Sequence, residues 1–254
     1  MSDPTTYEDL FSCAGRTVLV TGGAGLLGRE VCAALRAWGA DVWIADVMAD
    51  AGDDRAVVLD ITSEESIASV YDHVIATSGS LDVLVNCAYP RTGDWGEKLD
   101  TESLDSWREN LDSHLGGYFA TSREAARRMA EAGGGAIINF ASIYGVVGPS
   151  YEVYDGTSMT MPSAYAAIKG GIIGITRLLA TYYGPSGVRC NCVSPGGVED
   201  RQAEAFVERY ATLTPLGRMA KPRDIVGAVV FLASDAGAYV TGQNIIVDGG
   251  WSAR

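Results

Sequence analysis

The chain has 254 residues, of which 47% are hydrophobic, and it can bury the core of one large α/β domain or of two small ones. It carries 32 acidic and 19 basic side chains, and its formal charge is −13. Because such a surface repels nucleic acid and anionic membranes, we expect neither as a partner.

The first residues and the cysteines favour a cytoplasmic protein. The opening segment "MSDPTTYEDLF" has no basic region and no apolar run, so we expect no signal peptide, and no stretch is long and apolar enough to span a membrane. The five cysteines are odd in number, which favours reduced thiols over disulfides. We place Cys190 and Cys192 on opposite faces of a strand and expect no metal site.

Short β-branched stretches alternate with longer stretches of helical periodicity along the chain. The predicted strands cover 16–22, 41–46, 56–61, 81–88, 136–142, 188–195 and 244–250. Helices are predicted over 26–39, with Gly39 at the end, and over 104–132, 163–182 and 222–234. A further helix is predicted to begin at a capping box at 62–65. Nearly continuous apolar strands that alternate with helices predict a Rossmann-type, doubly wound parallel sheet in three layers. No linker divides the chain, so we expect a single domain over 1–254.

The stretch "TGGAGLLG" (21–28) lies between the first strand and the first helix. Its glycines allow a tight turn and a close approach of the backbone to a pyrophosphate, which then meets the helix amino terminus. The alternative is a flexible turn without a ligand. The residues expected to contact a dinucleotide here are Gly22, Gly25, Leu26, Leu27 and Gly28.

Two aspartates end the second and third predicted strands. Asp46, 18 residues after Gly28, can accept hydrogen bonds from an adenosine ribose and would repel a 2′-phosphate, which favours NAD over NADP. Asp60, followed by Ile61, is placed to meet the adenine edge. A helix-capping or solvated Asp60 is an equally good interpretation of its spacing.

The stretch "PSAYAAIKGG" (162–171) places Tyr165 and Lys169 one helical turn apart on one face. An ammonium beside a phenol favours the phenolate and lowers its pKa, which would suit Tyr165 to proton transfer near neutral pH. The alternative is a lysine stem that packs beside a half-buried tyrosine.

With these motifs placed, the chain resembles the short-chain dehydrogenase/reductase family over nearly its whole length. The resemblance rests on the glycine turn together with "VNCA" (85–88), "ASIYG" (141–145), "YAAIK" (165–169), "NCVSPGG" (191–197) and "VTGQNIIVDGG" (240–250). It implies a catalytic set of Ser142, Tyr165 and Lys169. It also implies that Asn86, Ala88, Pro195, Gly196 and Val198 contact the cofactor.

In this family the tyrosine exchanges a proton with the substrate oxygen while the nicotinamide exchanges a hydride with the carbinol carbon. The resemblance implies that Tyr165 has this role, that Ser142 donates a hydrogen bond to the same oxygen, and that Lys169 tunes the phenol and binds the nicotinamide ribose.

The chain departs from the family pattern in its glycine spacing and at His114. The spacing T-G-x-x-G-x-x-G resembles a longer, nucleotide-sugar-acting branch, so an epimerase or dehydratase with recycled NAD is an alternative. His114 aligns with a helix asparagine that shapes a proton relay behind the lysine. A histidine there would preserve the relay, add a titrating group or simply pack, and a non-catalytic dinucleotide sensor stays a further alternative.

The gap between Ser142 and Tyr165 is longer than usual, and we place the extra residues at 149–160, over the active site. Aromatic rings with carboxylates and hydroxyls suit a polyhydroxylated substrate, and Arg91 would hold a carboxylate or phosphate. A surface loop with no substrate role is the alternative. The candidate substrate residues are Arg91, Tyr144, Tyr151 and Tyr154.

The sequence thus predicts a NAD-dependent oxidoreductase of a secondary alcohol or ketone, with a sugar derivative as one candidate substrate. The chain is similar to family members from acidic-sugar or surface-glycan biosynthesis. The resemblance also implies a homo-oligomer, with a tetramer expected, in which the helices at 104–132 and 163–182 pack between subunits.

Overall fold

The computed structural model describes residues 6–7, 9–49 and 52–253. Seven parallel strands form one sheet in the order β3-β2-β1-β4-β5-β6-β7. The strands are Thr17–Thr21 (β1), Asp41–Asp46 (β2), Ala56–Val58 (β3), Val83–Asn86 (β4), Gly135–Phe140 (β5), Val188–Pro195 (β6) and Asn244–Val247 (β7). The predicted doubly wound parallel sheet is therefore confirmed.

Helices cover both faces of the sheet. In the described ranges the α-helices are Leu26–Ala37 (α1), Glu64–Ser78 (α2), Leu104–Asn110 (α3), Gly117–Ala132 (α4), Ser163–Tyr183 (α5), Glu204–Leu213 (α6) and Pro222–Ala233 (α7). Alternate residues of β1 show how the layers are built: Val18 and Val20 pack with α1 and α7, whereas Leu19 packs with α2, α4 and α5.

The order of the strands reverses between β1 and β4, because β2 and β3 continue on one side and β4 to β7 on the other. In an open parallel sheet, ligands bind at the carboxyl ends of the strands beside such a reversal. The turn after β1 and the loops after β4, β5 and β6 all open at this edge.

The predicted helix over 104–132 is interrupted. A π-helical segment, Leu111–Gly116, joins α3 to α4, and His114 lies inside it. A π turn changes the hydrogen-bond pattern and often marks a functional site, but it leaves the apolar spacing similar enough to look like one helix. The helical region therefore begins and ends at the predicted residues, and only its π-helical segment was not predicted.

The start of α2, the end of β3 and the presence of α6 differ from the predictions. Ser63 is the N-cap of α2 and accepts a hydrogen bond from the Ser66 N–H at 3.1 Å, so the capping box predicted at 62–65 is not formed. Strand β3 ends at Val58 rather than at residue 61, and helix α6 was not predicted.

The expectation that Cys190 and Cys192 face opposite sides of the sheet is wrong. Residues two apart in a strand point to the same face, and both thiols are buried in the cluster that packs against α4 and α5. Burial raises the pKa of both thiols, that of Cys192 to about 11, and both are free.

Candidate active site

A cleft of about 720 Å³ opens at the carboxyl edge of the sheet, where β1 and β4 meet. Most of the predicted site residues form its wall: Gly22, Gly25, Leu26, Leu27, Gly28, Asp46, Asp60, Ile61, Ala88, Arg91, Ser142, Tyr144, Tyr165, Lys169, Pro195, Gly196 and Val198. Four predicted residues lie outside this wall: Asn86, His114, Tyr151 and Tyr154.

The glycine turn forms a cradle that other residues would fill. A Cβ at Gly28 would lie 2.2 Å from the carbonyl oxygen of Gly22, and a Cβ at Gly22 would lie 2.6 Å from the backbone of Ala88. Helix α1 begins after the N-cap Gly25, which provides no side-chain cap for the first N–H groups of the helix. This arrangement fits the pyrophosphate of a dinucleotide, since free N–H groups and the helix dipole both favour an anion there.

Asp46 is held at the end of β2 by two backbone N–H groups. Its Oδ2 accepts from Ala24 at 3.1 Å, and its Oδ1 accepts from Met48 at 3.0 Å. The basic side chains of the cleft wall, Arg91 and Lys169, instead lie beside the aromatic rings of Tyr89 and Tyr165. The end of the cleft beside Asp46 therefore has a fixed acid and, among the described lining residues, no cation for a 2′-phosphate.

Asp60 lies in the cleft wall and also supports a local turn. Its Oδ1 accepts from the N–H of Thr62 at 2.8 Å and from the hydroxyl of Thr62 at 2.7 Å. The helix-capping interpretation of Asp60 is wrong, because Ser63 is the N-cap of α2. Asp60 borders the cleft, and its contact with the adenine edge stays a prediction.

Ser142 and Tyr165 meet in the cleft. Ser142 follows β5, and its hydroxyl accepts from the N–H of Tyr144 at 3.2 Å. Burial raises the pKa of the Tyr165 phenol, while a hydrogen bond with Ser142 acts in the opposite direction. The sequence predicted that Lys169 lowers the pKa of this tyrosine. In the protein without cofactor the pKa is instead raised, because burial outweighs the other effects.

Lys169 is only 4% exposed. Its Nζ donates to the carbonyl oxygen of Phe140 at 2.8 Å and lies 3.3 Å from Nε2 of His114. The Nζ is also 5.5 Å from the ring centre of Tyr165. Burial lowers the lysine pKa to about 7, and the nearby Cys87 thiol opposes this shift. Lys169 can therefore exchange its proton near neutral pH.

His114 contacts the lysine from behind rather than the cleft itself. The imidazole is fully buried between the rings of Tyr89 and Tyr118, each with its centre 5.2 Å away. Burial, and then the charge of Lys169, hold the pKa of His114 well below its ordinary value, so the ring is neutral. Nδ1 has no hydrogen-bond partner among the described residues. The side chain of His114 therefore contacts Lys169 through Nε2.

The side chain of Asn86 is occupied inside the protein. Its Nδ2 donates to Asn139 at 2.9 Å and to Ser122 at 3.0 Å, and its Oδ1 accepts from Thr121 at 3.1 Å. The predicted contact of this amide with a cofactor does not fit these bonds. Asn86 instead ties β4 to β5 and α4 below the cleft.

Sequence reasoning missed Tyr89, which follows the "VNCA" motif directly. Its ring makes edge contacts with Trp95, His114 and Tyr165 at 5.7, 5.2 and 6.1 Å. Adjacency to the motif was the available signal. The other lining residues that were not predicted are Val47, Leu59, Cys87, Pro90, Tyr118, Phe140, Ala141, Ile143, Gly197, Asp200 and Gln202.

The segment 149–160 packs against α6. The ring of Tyr154 lies 5.3 Å from that of Phe206, and Val153 is buried in the same cluster. The side chain of Arg209 donates to the carbonyl oxygen of Asp155. Tyr151 is 53% exposed. Of the three predicted tyrosines, Tyr144 alone lines the cleft. Tyr151 and Tyr154 lie outside the cleft wall, so the structure does not place them where they were predicted to contact a substrate.

The family comparison agrees with the fold and the cleft. A family model described as enoyl-(acyl carrier protein) reductase matches residues 23–252. The chain belongs to the short-chain dehydrogenase/reductase family. This membership confirms the resemblance that the motifs indicated, and it makes the protein a nicotinamide-dependent oxidoreductase that acts on secondary alcohols or ketones.

Curated members of the family are similar to this dehydrogenase/reductase. A post-translational flagellin modification protein A from Campylobacter coli is 38% identical over 76% of each chain. A cis-4-hydroxycyclohexanecarboxylate dehydrogenase from Sinomonas cyclohexanicum is 36% identical over 94% of this chain and 98% of the relative. A D-threitol dehydrogenase from Mycolicibacterium smegmatis is 33% identical over 96% of this chain and 95% of the relative.

Solved structures of the family share the fold. A short-chain dehydrogenase from Leptospira borgpetersenii with bound NAD⁺ is 34% identical and has a TM-score of 0.86. The match covers 99% of this chain and 98% of the Leptospira chain. A gluconate 5-dehydrogenase from Burkholderia cenocepacia in complex with NADP and tartrate is 28% identical, with a TM-score of 0.83 and coverage of 97% and 98%. The family therefore establishes a nicotinamide dinucleotide but not which of the two.

In the ranges 6–7, 9–49 and 52–253, His, Cys, Asp and Glu side chains form no group of three or more that is arranged to hold a metal ion. Across the same part of the chain, no helix is both long and apolar enough to cross a membrane.

Proposed function

We propose that this protein is a NAD-dependent dehydrogenase/reductase of a cyclic or polyhydroxylated secondary alcohol. The observation that carries the proposal is the convergence of Ser142, Tyr165 and Lys169 in one cleft with the glycine turn after β1. Relatives named for a hydroxycyclohexanecarboxylate and for D-threitol support this substrate range.

NAD is preferred to NADP because of Asp46. The carboxylate lies where the adenosine ribose would bind, and the two backbone N–H donors on it fix its position. A 2′-phosphate there would meet a negative charge without a neighbouring cation, whereas free ribose hydroxyls would donate to the carboxylate.

In the proposed mechanism, the bound nicotinamide supplies the hydride acceptor or donor. During reduction the phenol of Tyr165 donates its proton to the ketone oxygen and becomes a phenolate, and during oxidation the phenolate takes the proton from the substrate hydroxyl. Ser142 donates a hydrogen bond to the same oxygen and stabilises the charge that develops on it. Lys169 would hold the ribose hydroxyls of the cofactor, and its accessible pKa allows it to pass the proton onward.

His114 completes the arrangement behind the lysine. Phe140 and His114 together fix the position of Nζ, so the ammonium is directed towards the cofactor site by two contacts from the protein. The neutral imidazole accepts a hydrogen bond from the ammonium without adding a second positive charge. We therefore assign His114 as a positioning residue for Lys169.

We also propose a cytoplasmic homotetramer. Helix α5 exposes two large apolar side chains, with Leu178 at 55% and Tyr182 at 72% exposure. Near the carboxyl terminus, Leu216 and Ile246 are exposed as well. Apolar surface of this kind on long helices suits burial between copies of the chain.

The proposal is tested by following NADH formation at 340 nm with polyols, cyclic alcohols and nucleotide sugars as substrates. Net NADH production separates a dehydrogenase from an epimerase, which recycles its cofactor. Binding titrations should show NADH binding more tightly than NADPH, and Asp46→Ala should narrow the difference. Equal or tighter binding of NADPH to the wild-type protein would contradict the assignment of NAD.

A further inference from the structure

Arg91 lies in the cleft wall without an anionic partner. The chain has 32 acidic side chains, and many of its arginines pair with them, such as Arg16 with Asp235 and Arg55 with Asp41. Among the described residues, no carboxylate oxygen lies within ion-pair distance of the Arg91 guanidinium. An unpaired cation in such an acidic protein, placed in a ligand cleft, is available to an anionic ligand.

The loop that carries Arg91 is fastened to α3. The N–H of Thr92 donates to Oδ1 of Asn110 at 3.1 Å, and Nδ2 of Asn110 donates back to the Thr92 hydroxyl at 2.7 Å. The hydroxyl of Ser106 donates to Oδ1 of Asp94 at 2.7 Å. Asn110 is completely buried, so the amide that holds Thr92 is itself fixed in place. The backbone at Arg91 is therefore fixed before any ligand binds, which lowers the entropic cost of binding.

Arg91 also has a defined relation to the reacting group. Its guanidinium carbon lies 5.6 Å from the ring centre of Tyr89, and the same ring contacts that of Tyr165 at 6.1 Å. The cation and the phenol of Tyr165 therefore both contact the ring of Tyr89. A substrate with its hydroxyl at Tyr165 would extend past Tyr89 to reach Arg91.

We propose that Arg91 binds a carboxylate on the substrate, so that the preferred substrate class is a hydroxy acid whose carboxylate is separate from the carbinol carbon. A planar guanidinium matches a carboxylate with two parallel hydrogen bonds. The alternative anion, a phosphate monoester, carries nearly two charges. One arginine in a cleft that also contains Asp200 is better matched to a monoanion. This inference rests on the proposed function and specifies its substrate.

The first test is a selectivity ratio. Rates with 4-hydroxycyclohexanecarboxylate and with the uncharged 4-hydroxycyclohexanecarboxamide give kcat/KM for two alcohols that differ in charge. We expect the ratio of acid to amide to fall about 10- to 100-fold in Arg91→Gln, the scale of a lost charge-assisted hydrogen bond. Arg91→Lys should keep part of the preference. Arg108→Gln, which removes an exposed arginine of α3 that pairs with Asp105, should leave the ratio unchanged.

The second test measures binding without turnover. Calorimetry of cyclohexanecarboxylate, which has no hydroxyl to oxidise, is performed on the complex of the protein with NADH. We expect Arg91→Gln to weaken this binding about 10-fold or more, while its affinity for NADH stays within about two-fold. A loss of NADH affinity instead would assign Arg91 to the cofactor and overturn the proposal.

The outcomes separate the two proposals. If the amide is oxidised as well as the acid and Arg91→Gln does not change the ratio, the carboxylate site is wrong and the dehydrogenase assignment stands. If neither alcohol is oxidised but cyclohexanecarboxylate binds through Arg91, the binding site stands and the proposed reaction on these alcohols fails. If cyclohexanecarboxylate binds wild type and Arg91→Gln equally, or binds neither, the carboxylate site is overturned.

Discussion

At the scale of single residues, burial determines which groups in this site can carry charge. Lys169, His114 and Tyr165 lie close together, and burial shifts the pKa of each towards the neutral form. Only the lysine is brought to about 7, the range in which it can gain or lose a proton during turnover. The neutral histidine is suited to accept a hydrogen bond. In the protein without cofactor, the protonated phenol of Tyr165 is suited to donate its proton to a ketone oxygen, which is the reducing direction of the reaction.

The shifted lysine predicts a pH dependence of stability. The pKa of Lys169 falls from 10.5 to about 7 on folding, so the unfolded chain binds more protons between these values. The contribution of this group to stability is therefore lost as the pH falls towards 7 and grows as the pH rises. Relative to Lys169→Met, the free energy of unfolding of the wild type should rise by about 1–3 kcal/mol from pH 7 to pH 9.

Urea unfolding of both proteins without cofactor measures this difference. The comparison ends at pH 9 because free thiols titrate near there in the unfolded chain. Subtraction of the variant removes the contribution of the other groups. Parallel stability curves for the two proteins would mean that the lysine has its ordinary pKa in the folded state.

At the scale of elements, the turn after β1 shows what a glycine position requires. In Gly28→Ala, the added Cβ would meet backbone atoms of Gly22 and Gly23, which cannot move aside as a side chain can. We expect the variant to lose about 1–3 kcal/mol of stability from overpacking. It should also bind NADH at least about 10-fold more weakly, because the cradle is distorted.

The matched control is Gly227→Ala in α7, where an added Cβ meets nothing within 4 Å. This change should be neutral or stabilise the protein by up to about 1 kcal/mol, because alanine favours a helix over glycine. Thermal unfolding and NADH titration of both variants measure the effect. Equal NADH affinity for Gly28→Ala and the wild type would contradict the cradle.

The elements that the sequence predicts best are those with long, regular patterns. All seven strands and the glycine turn follow from apolar runs and their punctuation. Helix α6 was not predicted, although Phe206, Tyr210 and Leu213 have helical spacing. The π turn at Leu111–Gly116 could not be predicted from the sequence, because it changes the backbone hydrogen bonds more than it changes the spacing of the apolar residues.

The residues of the candidate site that belong to a motif could be predicted from the sequence. Residues whose side chains are positioned by tertiary contacts could not. Ser142, Tyr165 and Lys169 were identified from the family resemblance, and the fold brings them together. The bonds that occupy the amide of Asn86 come from α4 and β5, which no local pattern connects to β4. The packing of Tyr154 on α6 likewise depends on a helix that was not predicted.

At the scale of the whole molecule, the sheet order explains why so many separate motifs meet. The turn after β1 and the loops after β4, β5 and β6 are distant in sequence but share one edge, next to the point where the order reverses. The helices behind the sheet bring Lys169 and His114 to the same edge. The remaining surface is acidic, with apolar side chains exposed on α5.

That exposed apolar surface leads to a prediction about assembly. Light scattering at micromolar concentration should give a mass of four times the 26.7 kDa chain. Tyr182→Glu, which places a charge on the exposed face of α5, should shift the mass to smaller species because a buried unpaired charge is costly. Glu65→Gln, at an exposed position of α2, outside the helices expected to pack between subunits, is the control and should leave the mass unchanged. A 26.7 kDa monomer for the wild type would contradict the tetramer.

The central claim is that Tyr165 exchanges the substrate proton while the nicotinamide exchanges the hydride. The most direct measurement compares the wild type with Tyr165→Phe, which keeps the ring and removes only the hydroxyl, by turnover of one oxidised alcohol and by NADH titration. The account predicts that kcat falls about 10²- to 10⁴-fold, the scale of losing a positioned acid–base, while the affinity for NADH changes little. Full turnover by Tyr165→Phe would contradict the account and would return Tyr165 and Lys169 to a role in packing.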